Sequence, residues 1–286
     1  MRSERVVVTG AKGQLGTEAV KQLRQFGWDV YGYGKDELDV TDDRQVKDVF
    51  TNIRPHVVIH AAAYTKVDEA EKEKERAFLI NAYGTRNVAV AAEKVGAKLV
   101  YISTDYVFDG RGKEPYDEFA SPHPINIYGK SKLAGEQFVR DFHSKFFIVR
   151  TSWVFGANGN NFVKTMLQLA KEKKEIFVVG DQYGCPTYAV DLAQKICELV
   201  ETEKYGLYHI SNTDYCSWYE FAEAIFAQIR ADVRIQRCRT EDYPRLASRP
   251  AYSVLNHMAL KLNGFTLLRP WHEALQYFLS ADEVKR

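Results

Sequence analysis

The stretch that decides the fold is Arg5-Val6-Val7-Val8-Thr9-Gly10-Ala11-Lys12-Gly13-Gln14-Leu15-Gly16. Its first five residues form a short, largely β-branched run, the composition of a buried strand. Glycines at 10, 13 and 16 follow at once, and then an amphipathic helical pattern through Val20 and Leu23 that ends at Gly27. Strand, glycine turn and helix in that order are the context a dinucleotide fingerprint requires. The glycines let backbone approach a pyrophosphate that rests on the helix N-terminus. The spacing is G-x-x-G-x-x-G rather than the tighter G-x-G-x-x-G, and the plainer alternative is a flexible strand-to-helix turn.

Outward from there, a second strand, Asp29–Tyr33, ends at Gly34-Lys35-Asp36. An acidic residue at that point suits the ribose hydroxyls of NAD, whereas a basic one suits the 2′-phosphate of NADP. Lys35 and Lys12 are both candidates for that phosphate, or else solvated surface lysines; NADPH is favoured and NADH stays open. Leu38–Asp42 leads into the next helix with Asp42 or Thr41 as its cap, Asp39 alternatively touching an adenine edge. His56–His60 is continuously apolar in its middle, as a buried parallel strand should be, and His60 reads as a packed strand residue. It runs into Ala61-Ala62-Ala63-Tyr64-Thr65, small residues that leave room for a flat ligand or simply pack against a helix. The charged run Asp68–Arg76 is expected to be a solvated helix entrance, followed by one helix from Phe78 through Ala92 and a turn at Gly96.

A fourth strand, Lys98–Ile102, leads into Ser103-Thr104-Asp105-Tyr106-Val107-Phe108. Thr104 would hydrogen-bond a carbonyl being reduced and hold a neighbouring phenol, unless it only bonds its own backbone. Pro115, Pro122 and Pro124 mark a loop that delivers the chain to Tyr128-Gly129-Lys130-Ser131-Lys132. Residues four apart on a helix share a face, so Tyr128 and Lys132 present a phenol beside an ammonium. A free phenol titrates near ~10, and a neighbouring cation would pull it toward the range of a general acid/base. The alternative is an ordinary surface helix; Tyr31 and Lys35 have the same spacing.

In the second half Phe146–Arg150 is a buried strand, and Thr151–Asn161 is a polar, glycine-rich loop. Its Trp153 offers a flat apolar face for a pyranose or base, or else belongs to a core. Helical spacing over Phe162–Ala170, a strand at Ile176–Val179, a helix at Asp191–Val200 and a strand at Gly206–Ile210 returning to the main sheet follow. Ser217 is expected to cap a helix over Trp218–Ile229. The segment from Val233 carries many arginines, of which Arg249 is the candidate for phosphate oxygens, against a surface salt bridge. Trp271, Ala274, Leu275 and Phe278 give the last helix a packing stripe.

The expected architecture is α/β: a doubly wound parallel, Rossmann-type sheet from 1–150 plus about 182–210, with a smaller C-terminal substrate domain from 151–181 and 211–286. At 286 residues and a formal charge of +1, with no basic block, the chain gives a nucleic-acid partner no electrostatic support. No run approaches the ~20 apolar residues of a membrane span, and Met1–Arg5 lacks a signal-peptide core. The four cysteines have irregular spacing and no C-x-x-C, which reads as reduced thiols in the cytoplasm rather than a disulfide frame or zinc site.

Taken together, Thr9–Gly16, Ala61–Thr65, Ser103–Phe108 and Tyr128–Lys132 resemble the extended short-chain dehydrogenase/reductase family. More narrowly, Gly13–Gly16, Arg150–Val154, Asn161–Met166, Asp181–Gly184 and Ala247–Pro250 are similar to its reductases of dTDP-linked 4-keto-6-deoxy sugars. The likeness covers nearly the whole chain. It implies that Tyr128 donates a proton, that Lys132 binds the nicotinamide ribose and lowers the Tyr128 pKa, and that Thr104 orients the substrate carbonyl. It further implies that Gly10, Gly13, Gln14, Leu15, Asp39, Val40, Ala62, Ala63 and Thr65 line the cofactor, and that Asp105, Val67 and Trp153 touch the sugar. The reaction implied is NADPH-dependent reduction of the C4 keto group of dTDP-4-dehydro-6-deoxy-L-mannose, for a cell-surface polysaccharide precursor. The rivals are a nucleotide-sugar epimerase, dehydratase or other reductase of the same family, and a non-catalytic regulatory subunit on the same fold. Thr104-Asp105 lacks the Glu that dehydratases usually place next, and an intact Thr104/Tyr128/Lys132 set argues against a regulatory subunit. Relatives can be dimeric, which leaves a homodimer open, and some hold a metal at the dimer contact. No acidic cluster can be assigned to one here, so no metal is expected.

Overall fold

Strand β1 (Arg5–Thr9) lies between two parallel neighbours, β2 (Asp29–Tyr33) and β3 (Val57–His60), and Val6, Val7 and Val8 are wholly buried. The computed structural model describes residues 4–280. Met1–Ser3, part of the leader reading, and 281–286, the end of the arginine-bearing segment, lie outside them. Beyond β3 the sheet continues through β4 (Lys98–Thr104) and β5 (Phe146–Thr151) to the strand Gly206–His209, all parallel, so the expected return to the main sheet is observed. The chain leaves β1 toward β2 on one side and resumes with β3 on the other. That reversal opens a crevice at the carboxyl ends of β1 and β3, where open α/β sheets bind ligands.

Helices cover both faces. The helix α1 (Gln14–Gln25) lays Leu15, Ala19 and Leu23 against the sheet beside Leu192, Ala193 and Ile196 of the helix Ala189–Val200. On the other face α2 (Asp43–Ile53) contributes Val46 and Phe50, Thr85–Val95 contributes Val88, Ala89 and Ala92, and Ile127–Phe142 contributes Val139. Asp42, rather than Thr41, caps α2, its carboxylate accepting from the N–H groups of Arg44 (2.9 Å) and Gln45 (3.2 Å). The helix expected from Phe78 through Ala92 is interrupted: two short helices, Val67–Ala70 and Lys74–Phe78, lead into a π-helical turn over Leu79–Gly84, and the helix Thr85–Val95 follows it. Asn81 is the cause: its buried amide accepts from Tyr64 N–H (2.7 Å) and donates to Tyr64 C=O (3.0 Å) and Ser131 Oγ (2.9 Å). Holding those three partners widens the turn.

A second layer stacks Phe155, Val163, Met166, Phe221, Ile225, Ala274, Leu275 and Phe278 around a parallel pair, Glu175–Val179 with Arg234–Cys238. The strand Arg234–Cys238, read from sequence only as part of an arginine-rich segment, has Arg234 and Arg237 exposed and its other residues half-buried, and it shows no apolar run. Ser217 caps Trp218–Ile229 in a reciprocal capping box with Glu220. Within the range expected for the second layer, Leu260 and Leu268 instead join the main-sheet core beside Leu192 and Tyr208. All four cysteines are free thiols. No helix among the described residues is long and apolar enough to cross a membrane.

Candidate active site

The carboxyl ends of β1, β3, β4 and β5 open into a cavity of about 1150 Å³. At one end lies the glycine turn. Gly10 has φ +69°, and a Cβ there would fall 2.6 Å from the Ala62 amide nitrogen. A Cβ on Gly16 would overlap the Gly10 carbonyl oxygen. Gly13 at the N-cap offers no side chain over the first turn of α1, so the helix start is bare backbone. A pyrophosphate fits such a cradle, because amides at a helix start favour anions. Lys12 and Lys35 both line the cavity beside it. Lys12 lies across Gly34 and pairs with Glu37 at 3.3 Å, while Glu37 accepts from Gly34 N–H at 2.7 Å. That bond and Lys12 hold the Glu37 carboxyl below its usual range.

The adjoining walls hold Leu15, Asp39, Val40, Ala62, Ala63, Thr65 and Val67. Asp39 accepts from Thr41 N–H (2.9 Å) and its hydroxyl (2.7 Å), which fixes that turn. Gln14 is a strut across the cavity rim: its amide donates to Val154 C=O and accepts from Asn161, both at 2.8 Å. His60 is a packed strand residue, bonded to Thr9 Oγ1 (2.7 Å) and Thr85 Oγ1 (3.0 Å).

Thr104, Tyr128 and Lys132 meet at the cavity floor. Asn126 caps the helix Ile127–Phe142 by accepting from Gly129 N–H (2.7 Å), and it donates to Ser248 C=O (2.9 Å). A Cβ on Gly129 would overlap the Tyr106 carbonyl oxygen, so glycine lets the helix start press onto the turn after β4. That contact brings the phenol to Thr104. The Thr104 hydroxyl donates to Asp105 Oδ1 (3.0 Å) and accepts from Tyr106 N–H (3.2 Å), so its local backbone bond and its place at the site coexist.

Burial pushes the Tyr128 phenol up to about 12; the Thr104 hydroxyl lowers it and Asp105 raises it. The expectation that Lys132 lowers this phenol is therefore corrected. Lys132 does not figure among the causes, and burial pushes Lys132 itself down to about 7, with Glu136 acting against that fall. Tyr128 thus holds its proton at neutral pH, the form a proton donor needs. Asp105, fully enclosed, accepts from Ser253 Oγ (2.5 Å) as well as Thr104, and burial pushes it up to about 7.

Trp153 has the left-handed φ of 46° and lies parallel to Trp218, ring centroids 3.4 Å apart and planes 8° apart. It packs against the second-layer core and also lines the cavity. Arg249 does not line the cavity. Its fork is taken up by Asp68 (3.1 and 2.8 Å) and by Ala247 C=O (2.7 Å), the salt-bridge alternative. Among the lining residues that the sequence did not assign to the site are Trp218, read as a helix start, and Thr151, read as the start of a loop. The Thr151 hydroxyl is buried with no hydrogen-bond partner among the described residues, opposite Thr104 in the register of β4 and β5. Among the described residues no group of three or more His, Cys, Asp or Glu could hold a metal ion.

The same chain has clear relatives. The model of the RmlD substrate binding domain matches residues 4–284. The spore coat polysaccharide biosynthesis protein SpsK of Bacillus subtilis (strain 168) is 46% identical over 96% of this chain and 96% of its own. The dTDP-4-dehydrorhamnose reductase of Aggregatibacter actinomycetemcomitans is 42% identical over 95% of this chain and 97% of its own. Among solved structures, dTDP-4-dehydrorhamnose reductase from Bacillus anthracis str. Ames in complex with NADP is 55% identical, covers 97% of this chain and 99% of that one, and has a TM-score of 0.95. With the match running through both layers of the fold, the chain belongs to the RmlD substrate-binding domain family.

Proposed function

We propose that this protein reduces the C4 keto group of dTDP-4-dehydro-6-deoxy-L-mannose with NADPH, giving dTDP-L-rhamnose. The observation that carries the reading is the meeting of Thr104, Tyr128 and Lys132 on the floor of a cavity whose far end is a glycine cradle flanked by Lys12 and Lys35. Relatives named dTDP-4-dehydrorhamnose reductase support the choice of substrate.

Bound NADPH supplies the hydride that forms the new C–H bond at C4. The Thr104 hydroxyl turns from Asp105 Oδ1 to donate its hydrogen bond to the carbonyl oxygen, which polarises and orients it. The Tyr128 O–H bond breaks as its proton passes to that oxygen, leaving an alcohol and a phenolate. Lys132 would hold the nicotinamide ribose hydroxyls, and solvent returns a proton to the phenolate. Fixing both groups against one carbonyl makes the step effectively unimolecular. Asp105, Val67 and Trp153 hold the sugar, while Ala62, Ala63, Thr65, Asp39 and Val40 line the cofactor. In this reading the main sheet carries the cofactor, the second layer completes the sugar site, and the protein acts in the cytoplasm without nucleic acid or membrane.

The test is absorbance at the NADPH band with purified protein and a panel of dTDP- and UDP-linked 4-keto-6-deoxy sugars of both C5 configurations. Steady oxidation confined to the dTDP-linked L-sugar supports the reading. Interconversion of sugars without net NADPH consumption overturns it in favour of an epimerase. Tyr128→Phe is expected to lower kcat by ~10²–10⁴.

A further inference from the structure

Lys132 is 2% exposed, yet among the described residues no carbonyl or carboxylate accepts a hydrogen bond from its Nζ. The carboxylate one helical turn on, Glu136, is drawn away. Its Oε1 accepts from Ser103 Oγ (2.6 Å) and Arg150 Nε (2.8 Å), and its Oε2 accepts from Arg150 Nη2 (2.7 Å). What the ammonium meets instead is the face of the Tyr101 ring on β4, with Nζ 4.1 Å from the ring centroid. An aromatic face carries the negative lobe of a quadrupole and attracts a cation most strongly where water is excluded.

The ring itself is clamped. Its hydroxyl donates to the backbone carbonyls of Lys132 (3.1 Å) and Asn81 (3.3 Å). Gly135 makes that approach available, since a Cβ there would overlap the Tyr101 hydroxyl. The His60 ring stacks on Tyr101 at 5.7 Å, and burial keeps this imidazole neutral, pushed down to about 3. The groups facing Lys132 are thus Tyr128 and Glu136 on its own helix, Tyr101 on β4 and His60 on β3, with Arg150 on β5 behind Glu136.

We propose that the Tyr101 ring is the seat of the Lys132 ammonium, a positioning residue that keeps this cation charged and directed into the cavity without committing it to a salt bridge. An ion pair would lock the N–H donors onto a carboxylate, whereas a ring face restrains the charge and leaves the donors free. The inference rests on the reading of Tyr128 and Lys132 as the proton-transfer pair.

The experiment replaces Tyr101, in the full chain, by phenylalanine and by phenylalanines of increasing fluorination, which weaken and then invert the ring quadrupole at nearly constant shape. Two midpoints are read. One is the Lys132 titration in cofactor-free protein, followed by NMR of ¹³C-labelled lysine; the other is the alkaline limb of kcat/KM for NADPH oxidation. Thermal melting checks that each variant is folded. Tyr101→Phe is expected to leave both midpoints near the parent values, and pentafluorophenylalanine to lower both by about one pH unit. Midpoints that do not move with fluorination overturn the seat. If Tyr128→Phe abolishes oxidation while the midpoints stay fixed, the seat fails and the reduction stands. If Tyr128→Phe turns over at full rate, the reduction reading fails, and the NMR midpoint alone decides on the seat.

Discussion

Lys132 and Asp105 share one cleft, and burial moves them in opposite directions to meet at about 7. For Lys132 the folded value lies below the unfolded value of 10.5, so between about 7 and 10.5 the unfolded chain binds the extra proton. Stability therefore rises with pH across that window. For Asp105 the folded value lies above 3.8, so stability falls as pH rises from 3.8 to about 7. The cleft costs the fold most near neutrality. Lys132→Met is expected to abolish turnover and yet raise the unfolding free energy by ~1–3 kcal/mol at and below pH 7. Urea melts at several pH values check this, with the gap closing toward pH 10.5. Tyr128, Lys132 and Thr104 were legible because helical spacing and strand ends are local facts. The Tyr128 shift was not, since its direction depends on how deeply the hydroxyl is enclosed. Neither was Trp218 or Thr151, which reach the cavity wall only through the Trp153 stack and the β4–β5 register.

At the level of elements, β1, the glycine turn and α1 form a unit in which backbone packs on backbone. Gly16→Ala drives a methyl into the Gly10 carbonyl, with no flexible side chain to give way. We expect a loss of ~2–4 kcal/mol in stability and of measurable NADPH binding, read by melting and by fluorescence titration. The segment 247–254 is a second such unit, tied to the site by Asn126 to Ser248, Asp68 to Arg249 and Asp105 to Ser253. A double-mutant cycle of Asp68→Ala and Arg249→Ala should return a coupling of ~1 kcal/mol, because the pair is bidentate but partly exposed. Coupling near zero would reopen Arg249 as a phosphate ligand. Strand-turn-helix was readable because period and glycine spacing lie within one window. The π-turn at Leu79–Gly84 and the strand Arg234–Cys238 were not, since Asn81 answers to Tyr64 and Ser131, and the strand answers to Glu175–Val179.

The whole molecule interleaves its two layers. After β5 the chain builds Phe162–Val179 in the second layer, then returns for the helix Ala189–Val200 and the strand Gly206–His209 of the main sheet. It crosses again for Trp218–Cys238, and Leu260 and Leu268 come back to the main core. A fragment of residues 1–150 therefore lacks its sixth strand and the helix that covers Ala19 and Leu23. Expressed alone, it is expected to show no cooperative melt and rapid proteolysis. The return of Gly206–His209 was visible as an apolar β-run, but the crossing of Leu260 and Leu268 was not, since nothing local says which core a leucine joins.

That interleaving also sets a timetable for synthesis. A nascent chain cannot finish its main sheet until His209 has cleared the ribosome, and the parallel pair of the second layer waits for Cys238. A translation product stalled anywhere in between exposes an unfinished sheet edge to chaperones and proteases, so abundance in the cell should depend more on uninterrupted elongation than it does for a protein whose halves are made one after the other.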